Sequence, residues 1–223
     1  MVKFKKTKSA MNDLLQVMAA LRSPEGCPWD REQDHMSLRF HAVEEVYELI
    51  DAIELGDDAE MREELGDLLL QVVFHCQLAR ERGAFDFEKV AREMTEKLLR
   101  RHPHVFGDSH AKTVDAVWAQ WDQIKKTEKQ GTHRERTSAF DGIPKHLPAL
   151  MRAEKLIKKA RKGKFLDDPK ADRKSEKAVG EELYRLAEYA QSKGWSAEEL
   201  LRRELKKREN QWRKAEKKRA SDL

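Results

Sequence analysis

Two pairs of acidic residues in this 223-residue chain have a spacing that suits a metal-binding site. Glu45 and Glu48 are three residues apart in one predicted helix, and Glu64 and Asp67 are three residues apart in the next. At about 100° per residue, the members of each pair lie on one face of their helix. A predicted turn at residues 56–58 makes the two helices antiparallel neighbours, so we expect the four carboxylates to face each other.

The second of these helices favours metal binding over a structural role. Its sequence over 65–79 is apolar on nearly every side, which predicts a buried helix, yet Glu64, Asp67 and Gln71 share one narrow stripe on it. Buried carboxylates that have no basic partner at helical spacing repel each other and lose hydration. A hard divalent cation removes both costs, and an all-oxygen ligand set favours Mg²⁺, with Mn²⁺ as a possible substitute, over zinc.

Two other interpretations of the acidic residues are less favoured. Hydration of an acidic helix face explains the run Glu44-Glu45-x-x-Glu48 when it is taken alone, because charged runs on helices are usually only solvated. It does not explain Glu64 and Asp67 beside an apolar run. A di-iron carboxylate bundle uses Glu-x-x-His on two helices, and neither pair here supplies the histidine.

The rest of the chain predicts an all-α protein. Proline and glycine are scarce, at 6 and 10, and few segments alternate with a period of two. The predicted helices cover 9–22, 37–55, 58–82, 87–101, 113–129, 149–162, 174–193 and 196–219. Polar residues interrupt the longest apolar stretch, so no membrane span is expected. Two separated cysteines, Cys27 and Cys76, do not make a disulfide scaffold and predict a reducing, cytoplasmic location.

Charge and turn residues predict the domain organisation. Residues 130–148 are polar and rich in turn residues, which predicts a linker between a domain at 1–129 and a smaller one at 149–223. From residue 152 onward the chain carries 23 Lys+Arg against 14 Asp+Glu. Helices rich in Lys, Arg and Glu are usually solvated or pack on other helices. We therefore favour a scaffold or oligomer role for this basic part over nucleic-acid binding.

Several ordered motifs together resemble one family. They are Cys27-Pro28-Trp29-Asp30, Glu44-Glu45-x-x-Glu48, Glu64-x-x-Asp67, the run from Arg100 to Phe106, the run from Trp121 to Lys125, and residues 143–153. In this order they are similar to MazG, the nucleoside triphosphate pyrophosphohydrolases of the all-α NTP pyrophosphatase superfamily. The resemblance implies an antiparallel helical bundle and a homodimer, because a single helix pair buries too little surface.

The resemblance also implies an activity and a set of metal ligands. The product pair would be nucleoside monophosphate and pyrophosphate. The positions that match Glu45, Glu48, Glu64 and Asp67 would bind Mg²⁺, which neutralises the triphosphate and activates a water for cleavage between the α and β phosphates. Glu44 would assist the attacking water or support the ligands.

Further residues match the family's substrate-binding positions. Lys97 and Arg101, one helical turn apart, would bind the phosphates. Trp121 and Lys125 belong to the element that would cover the nucleotide, and Trp29 would pack on its base. Each has a simpler alternative: the two basic residues complement a helix dipole, and the tryptophans belong to a core or an interface.

The chain departs from the family in its last third. Full-length relatives carry two MazG units, each with its own acidic set. Here Ala178 takes the place of Glu64 at a faint internal repeat, and no second Glu-Glu-x-x-Glu helix precedes it. We therefore expect residues 149–223 to be a shortened remnant without a metal site, and any catalysis to belong to the first unit.

Two alternatives to nucleoside triphosphate hydrolysis remain open at this point. A sister-family enzyme would keep the fold and act on dUTP or phosphoribosyl-ATP, although the motifs at 27–30 and 100–106 favour MazG. A non-catalytic helical regulator would keep one metal-nucleotide site while its second unit decayed.

Overall fold

The computed structural model describes residues 4, 6–132, 135–167 and 174–221, apart from the side chain of Lys126, and within these ranges it contains ten α-helices and no strand. The all-α class predicted from the sequence is confirmed. The helices are α1 (Ala10–Leu21), α2 (Pro28–Glu32), α3 (His41–Leu55), α4 (Asp58–Glu81), α5 (Phe87–Arg101), α6 (Pro103–Phe106), α7 (Val114–Thr127), α8 (Ala149–Lys162), α9 (Glu176–Ser192) and α10 (Ala197–Ser221).

The chain forms two compact units, Met1–Val117 and Trp118–Leu223. The division falls inside α7, whereas the sequence-based prediction ended the first domain at residue 129. Within the described ranges, no helix is both long enough and apolar enough to cross a bilayer.

In the first unit, α3 and α4 form an antiparallel hairpin that carries all the predicted metal ligands. Gly56 ends α3 in the left-handed conformation, at φ 69°, which a residue with a side chain rarely adopts. The Asp57 carboxylate then accepts the backbone N–H groups of Ala59 and Glu60 at 2.9 and 3.1 Å, which begins α4. The two-residue connection holds the helices side by side, as the acidic spacing requires.

The start of α3 differs from the prediction of a helix from residue 37. The Asp34 carboxylate accepts the backbone N–H groups of Met36 and Ser37, each at 2.7 Å, and these two bonds lower its pKa. Such an Asx turn competes with helix formation, because it satisfies the same N–H groups in another backbone conformation. Helix α3 therefore begins at His41, and residues 35–40 form turns.

The core of the first unit lies between α1, α4 and the turns before α3. Its buried residues are Met18, Leu38, Val73, Phe74 and Leu78. Helix α4 is buried along one side, but Leu65 is 51% exposed and Val72 is also exposed. The expectation that residues 65–79 are buried on every side was therefore wrong.

A half-buried arginine, Arg22, joins three parts of the first unit. The Arg22 guanidinium donates to both carboxylate oxygens of Glu81, each at 2.7 Å, and these hydrogen bonds lower the pKa of Glu81. Arg22 also donates to the carbonyl of Gln33 at 3.2 Å. The end of α1, the end of α4 and the segment that leads into α3 are thus held together by one side chain.

His35 and His75 form a second link between the turns before α3 and α4. Their Nδ1 atoms are 2.8 Å apart, their ring planes differ by 10°, and their ring centroids are 5.1 Å apart. The centroid distance equals the Nδ1···Nδ1 distance plus the distance from the centroid to Nδ1 in each ring. The two centroids and the two Nδ1 atoms therefore lie on one line, and the rings meet edge to edge in nearly the same plane. One ring therefore donates an N–H to the bare nitrogen of the other. The histidine pair thus attaches the segment that leads into α3 to α4.

The histidine pair should make the stability of the first unit depend on pH. Burial and the neighbouring His35 lower the pKa of His75. Below the ordinary histidine pKa of about 6.5, this histidine is therefore protonated more readily in the unfolded chain than in the folded chain, which favours unfolding. We expect the melting temperature to fall between about pH 7.5 and pH 5.5, and to fall less in His75→Gln. Thermal melts at several pH values measure both slopes.

The control for this experiment is His110→Gln, which removes an exposed histidine of the same unit and should keep the wild-type slope. All three proteins retain the acidic residues, so differences in slope report the histidines alone. Equal slopes in wild type and His75→Gln would contradict the assignment.

The second unit has its own core, built from α8, α10 and the segment before α8. The buried residues are Phe140, Ala149, Ala153, Leu156, Ala160 and Leu205. The Phe140 ring stacks on Trp212 at 5.6 Å, with 14° between the ring planes. Buried Arg152 pairs with Glu209, and Arg213 pairs with Asp141 at 2.7 Å. Part of the segment predicted as a linker, 130–148, is therefore packed structure.

Candidate metal centre

Three of the predicted metal ligands come together on the α3–α4 hairpin. Glu45, Glu48 and Glu64 each offer a carboxylate oxygen, and these oxygens lie within 4.8 Å of one another. Glu45 and Glu64 are half-buried, and Glu48 is exposed. Helical spacing puts Glu45 and Glu48 on one face of α3, and the Gly56–Asp57 turn places α4 beside that face. Within the described ranges, no other cluster of three or more acidic, histidine or cysteine side chains converges in this way.

The charges at this cluster are not balanced by the protein. Loss of hydration, followed by repulsion from Glu45, raises the pKa of Glu48. Loss of hydration, followed by repulsion from Glu48 and Asp67, raises the pKa of Glu64. In the described part of the chain, no lysine or arginine forms an ion pair with these carboxylates. The cluster is therefore an oxygen-lined site of negative charge that a hard cation would stabilise.

Asp67 and Glu44 lie at the edge of the cluster. Asp67 is half-buried on α4 and adds to the repulsion on both Glu48 and Glu64, although it is not one of the three converging side chains. Glu44 is exposed at the start of α3, where its carboxylate is 3.6 Å from Nδ1 of His41. Glu44 also contributes to the repulsion on Glu48. Both residues are thus close enough to act on the cluster electrostatically.

Gln71 is a polar neighbour of the cluster to which the sequence analysis gave no role. It lies one helical turn after Asp67, is 8% exposed, and donates from Nε2 to Oε1 of Glu45 at 3.3 Å. Its own Oε1 is buried and has no hydrogen-bond partner among the described residues. The sequence signal was the polar stripe on an apolar helix, but spacing alone cannot show that this side chain reaches α3.

Trp29 stands on α2, close to the start of α3. Its ring is 54% exposed and packs edge-on against His41, with the centroids 6.5 Å apart. His41 is the residue that approaches Glu44. Trp29 is therefore an exposed aromatic surface near one end of the acidic helix, and it is not part of the described core.

The predicted phosphate-binding pair lies on α5. Lys97 and Arg101 are one helical turn apart and half-buried, and α5 packs against α4. In the second unit, Nζ of Lys125 lies 4.5 Å above the Trp121 ring, and Trp121 packs edge-on against Trp118. Trp121 and Lys125 are thus neighbours of each other, in a cation–π arrangement.

Comparison with known proteins places this site within a recognised domain. The MazG nucleotide pyrophosphohydrolase domain matches residues 33–106. The chain is 50% identical over 147 residues to the nucleoside triphosphate pyrophosphohydrolase of Escherichia coli K12, covering 66% of this chain and 55% of that protein. It is 51% identical over 148 residues to the nucleoside triphosphate pyrophosphohydrolase/pyrophosphatase MazG of Thermotoga maritima, with the same coverage.

A longer alignment extends the similarity over most of both chains. An uncharacterized 26.1 kDa protein from Streptomyces cacaoi is 42% identical over 192 residues, covering 85% of this chain and 76% of that protein. This chain belongs to the MazG family. The chain spans about half the length of the E. coli and T. maritima relatives. The region matched by the MazG domain contains all five acidic residues of the site, together with Lys97 and Arg101.

Proposed function

We propose that the first unit hydrolyses nucleoside triphosphates to nucleoside monophosphates and pyrophosphate in a Mg²⁺-dependent reaction. The observation that carries this proposal is the convergence of Glu45, Glu48 and Glu64 within 4.8 Å inside the MazG domain. A cluster in which the pKa values of Glu48 and Glu64 are raised, and which has no basic partner among the described residues, costs stability unless it serves a purpose. A polyphosphate substrate with its metal ion supplies one.

The residues of the cluster fit magnesium. Carboxylate oxygens are the ligands that Mg²⁺ and Mn²⁺ prefer, and the donor set contains no thiolate or imidazole that would favour zinc. Glu45, Glu48 and Glu64 would hold the ion, with Asp67 as a further ligand or a charge beside it. When bound, the ion supplies charge neutralisation to the polyphosphate and lowers the pKa of a coordinated water.

Other residues of the first unit would bind and orient the substrate. Lys97 and Arg101 would donate hydrogen bonds to phosphate oxygens, where a forked guanidinium and an ammonium are the expected partners. Trp29 would stack on the base. Glu44, exposed beside the cluster, would orient the attacking water or accept its proton.

We further propose that the chain acts as a homodimer in the cytoplasm. Helix α3 carries Val43, Val46, Tyr47 and Ile50, all exposed, at the spacing of one helical stripe. A stripe of this kind favours burial against a second copy. The chain has only two cysteines, Cys27 and Cys76, which do not make a disulfide scaffold, and this supports a reducing compartment.

Product analysis tests the proposed reaction. We expect the purified chain to release pyrophosphate and monophosphate from some members of a panel of ribo- and deoxyribonucleoside triphosphates with Mg²⁺, and to lose this activity in EDTA. Including dUTP in the panel separates the sister-family alternative. Release of inorganic phosphate and diphosphate would contradict the assigned bond. Metal-dependent thermal stabilisation without turnover of any nucleotide would replace the proposal with a non-catalytic regulator.

A further inference from the structure

Gln71 combines deep burial with incomplete hydrogen bonding. Its side chain is 8% exposed, and its one hydrogen bond, from Nε2 to Oε1 of Glu45, is long at 3.3 Å. Its Oε1 is buried and has no hydrogen-bond partner in the part of the chain that the structure describes. Rotating the amide by half a turn would not help, because Oε1 would then face a carboxylate oxygen. The donating arrangement is thus the one that the site permits.

This arrangement is unfavourable for folding alone. A buried amide oxygen without a donor costs free energy, and the contact to Glu45 recovers only part of it. The neighbouring α4 residues Val73 and Phe74 are apolar core residues. An apolar side chain of the same length at position 71 would fill the space without an unsatisfied group. The presence of glutamine here therefore points to a role in the acidic site.

We propose that Gln71 is a positioning residue of the metal centre. Its amide N–H holds Oε1 of Glu45, so that the second oxygen of Glu45 is the one presented to the cation, together with Glu48 and Glu64. Partners of this kind fix the orientation of a ligand before the metal arrives. This inference rests on the proposed function, because it requires that the cluster bind a divalent cation.

The experiment measures metal affinity without nucleotide, using Mn²⁺ titrations followed by electron paramagnetic resonance on the full chain. Gln71→Met removes the donor at nearly constant length, and we expect it to weaken Mn²⁺ binding by about 10–100-fold. Thermal melts in EDTA should show an unchanged or higher melting temperature, because the unsatisfied amide is gone. A merely structural glutamine would change stability without changing affinity in this way.

The matched control is Gln77→Met, on the same helix. Gln77 also donates from Nε2 to a glutamate, Glu81, at 2.9 Å, but Glu81 pairs with Arg22 and is not in the cluster. Gln77→Met should keep the wild-type affinity. Gln71→Asn is the second test variant, since its shorter amide loses the contact while keeping a polar side chain. It should weaken binding as well.

The outcomes separate this inference from the proposed function. Wild-type affinity in both Gln71 variants would overturn the positioning role while leaving the metal centre intact. Equal losses in the Gln71 and Gln77 variants would also overturn it, because the effect would not be specific to the contact with Glu45. Absence of Mn²⁺ binding by the wild-type chain would overturn the metal centre itself.

Discussion

Glu64→Gln should abolish metal-dependent nucleotide hydrolysis while leaving the chain folded. Glutamine keeps the size of the side chain but removes the charge at the point where α4 meets Glu45 and Glu48. We expect the turnover number to fall at least about 10²- to 10³-fold, the range for removing one preorganised electrostatic group from an active site. Pyrophosphate release under saturating nucleotide measures this directly.

The same substitution should not destabilise the metal-free chain, although it removes the activity. Loss of hydration, followed by repulsion within the cluster, raises the pKa of Glu64, so the ionised carboxylate is less favourable in the folded chain than in the unfolded chain. Removing the charge relieves this repulsion, and the melting temperature in EDTA should not fall. The rise in melting temperature that Mg²⁺ gives the wild type should be lost, because the variant binds the ion more weakly.

The control is Glu63→Gln, which removes a charge from the neighbouring, exposed residue of the same helix. Glu63 is not among the three converging carboxylates, so this variant should retain most of the wild-type turnover. Sedimentation velocity on all three proteins shows whether the assembly state is preserved. Full activity in Glu64→Gln, or equal losses in both variants, would contradict the proposed centre.

The acidic cluster could be predicted because its geometry depends on short-range rules. Helical periodicity sets the faces of Glu45, Glu48 and Glu64, and the residues at 56–58 determine the hairpin between the two helices. Both features are local in sequence, so neither requires knowledge of the core. The predicted fourth ligand, Asp67, lies at the edge of the cluster, and its role remains a prediction.

The features that sequence reasoning missed depend on contacts between distant segments. The in-plane bond between His35 and His75 joins residues forty positions apart, and Gln71 reaches Glu45 across two helices. Helical spacing describes one helix at a time and says nothing of which side chain on a second helix it meets. The Asx turn at Asp34 was missed for another reason, since a few residues of turn can replace the first turn of a helix without disturbing its apolar pattern.

Phe140 shows why a polar, glycine- and proline-rich segment is not necessarily a linker. Composition predicts exposure for residues 130–148 as a whole, but a single aromatic residue can attach such a segment to a core. Phe140 is 1% exposed and packs on Trp212 and Phe165, with both centroid distances at 5.6 Å. Its burial gives this segment a stabilising function in the second unit.

Phe140→Ala should therefore destabilise the second unit by about 3–5 kcal/mol, the usual cost of truncating a buried phenylalanine. Urea unfolding followed by tryptophan fluorescence measures this, because four of the five tryptophans lie in the second unit. Leu150→Ala, which truncates a side chain that is 52% exposed on α8, should change stability by no more than about 0.5 kcal/mol. A flexible linker would tolerate both changes equally. Equal unfolding midpoints for the two variants would thus show that residue 140 does not support the core.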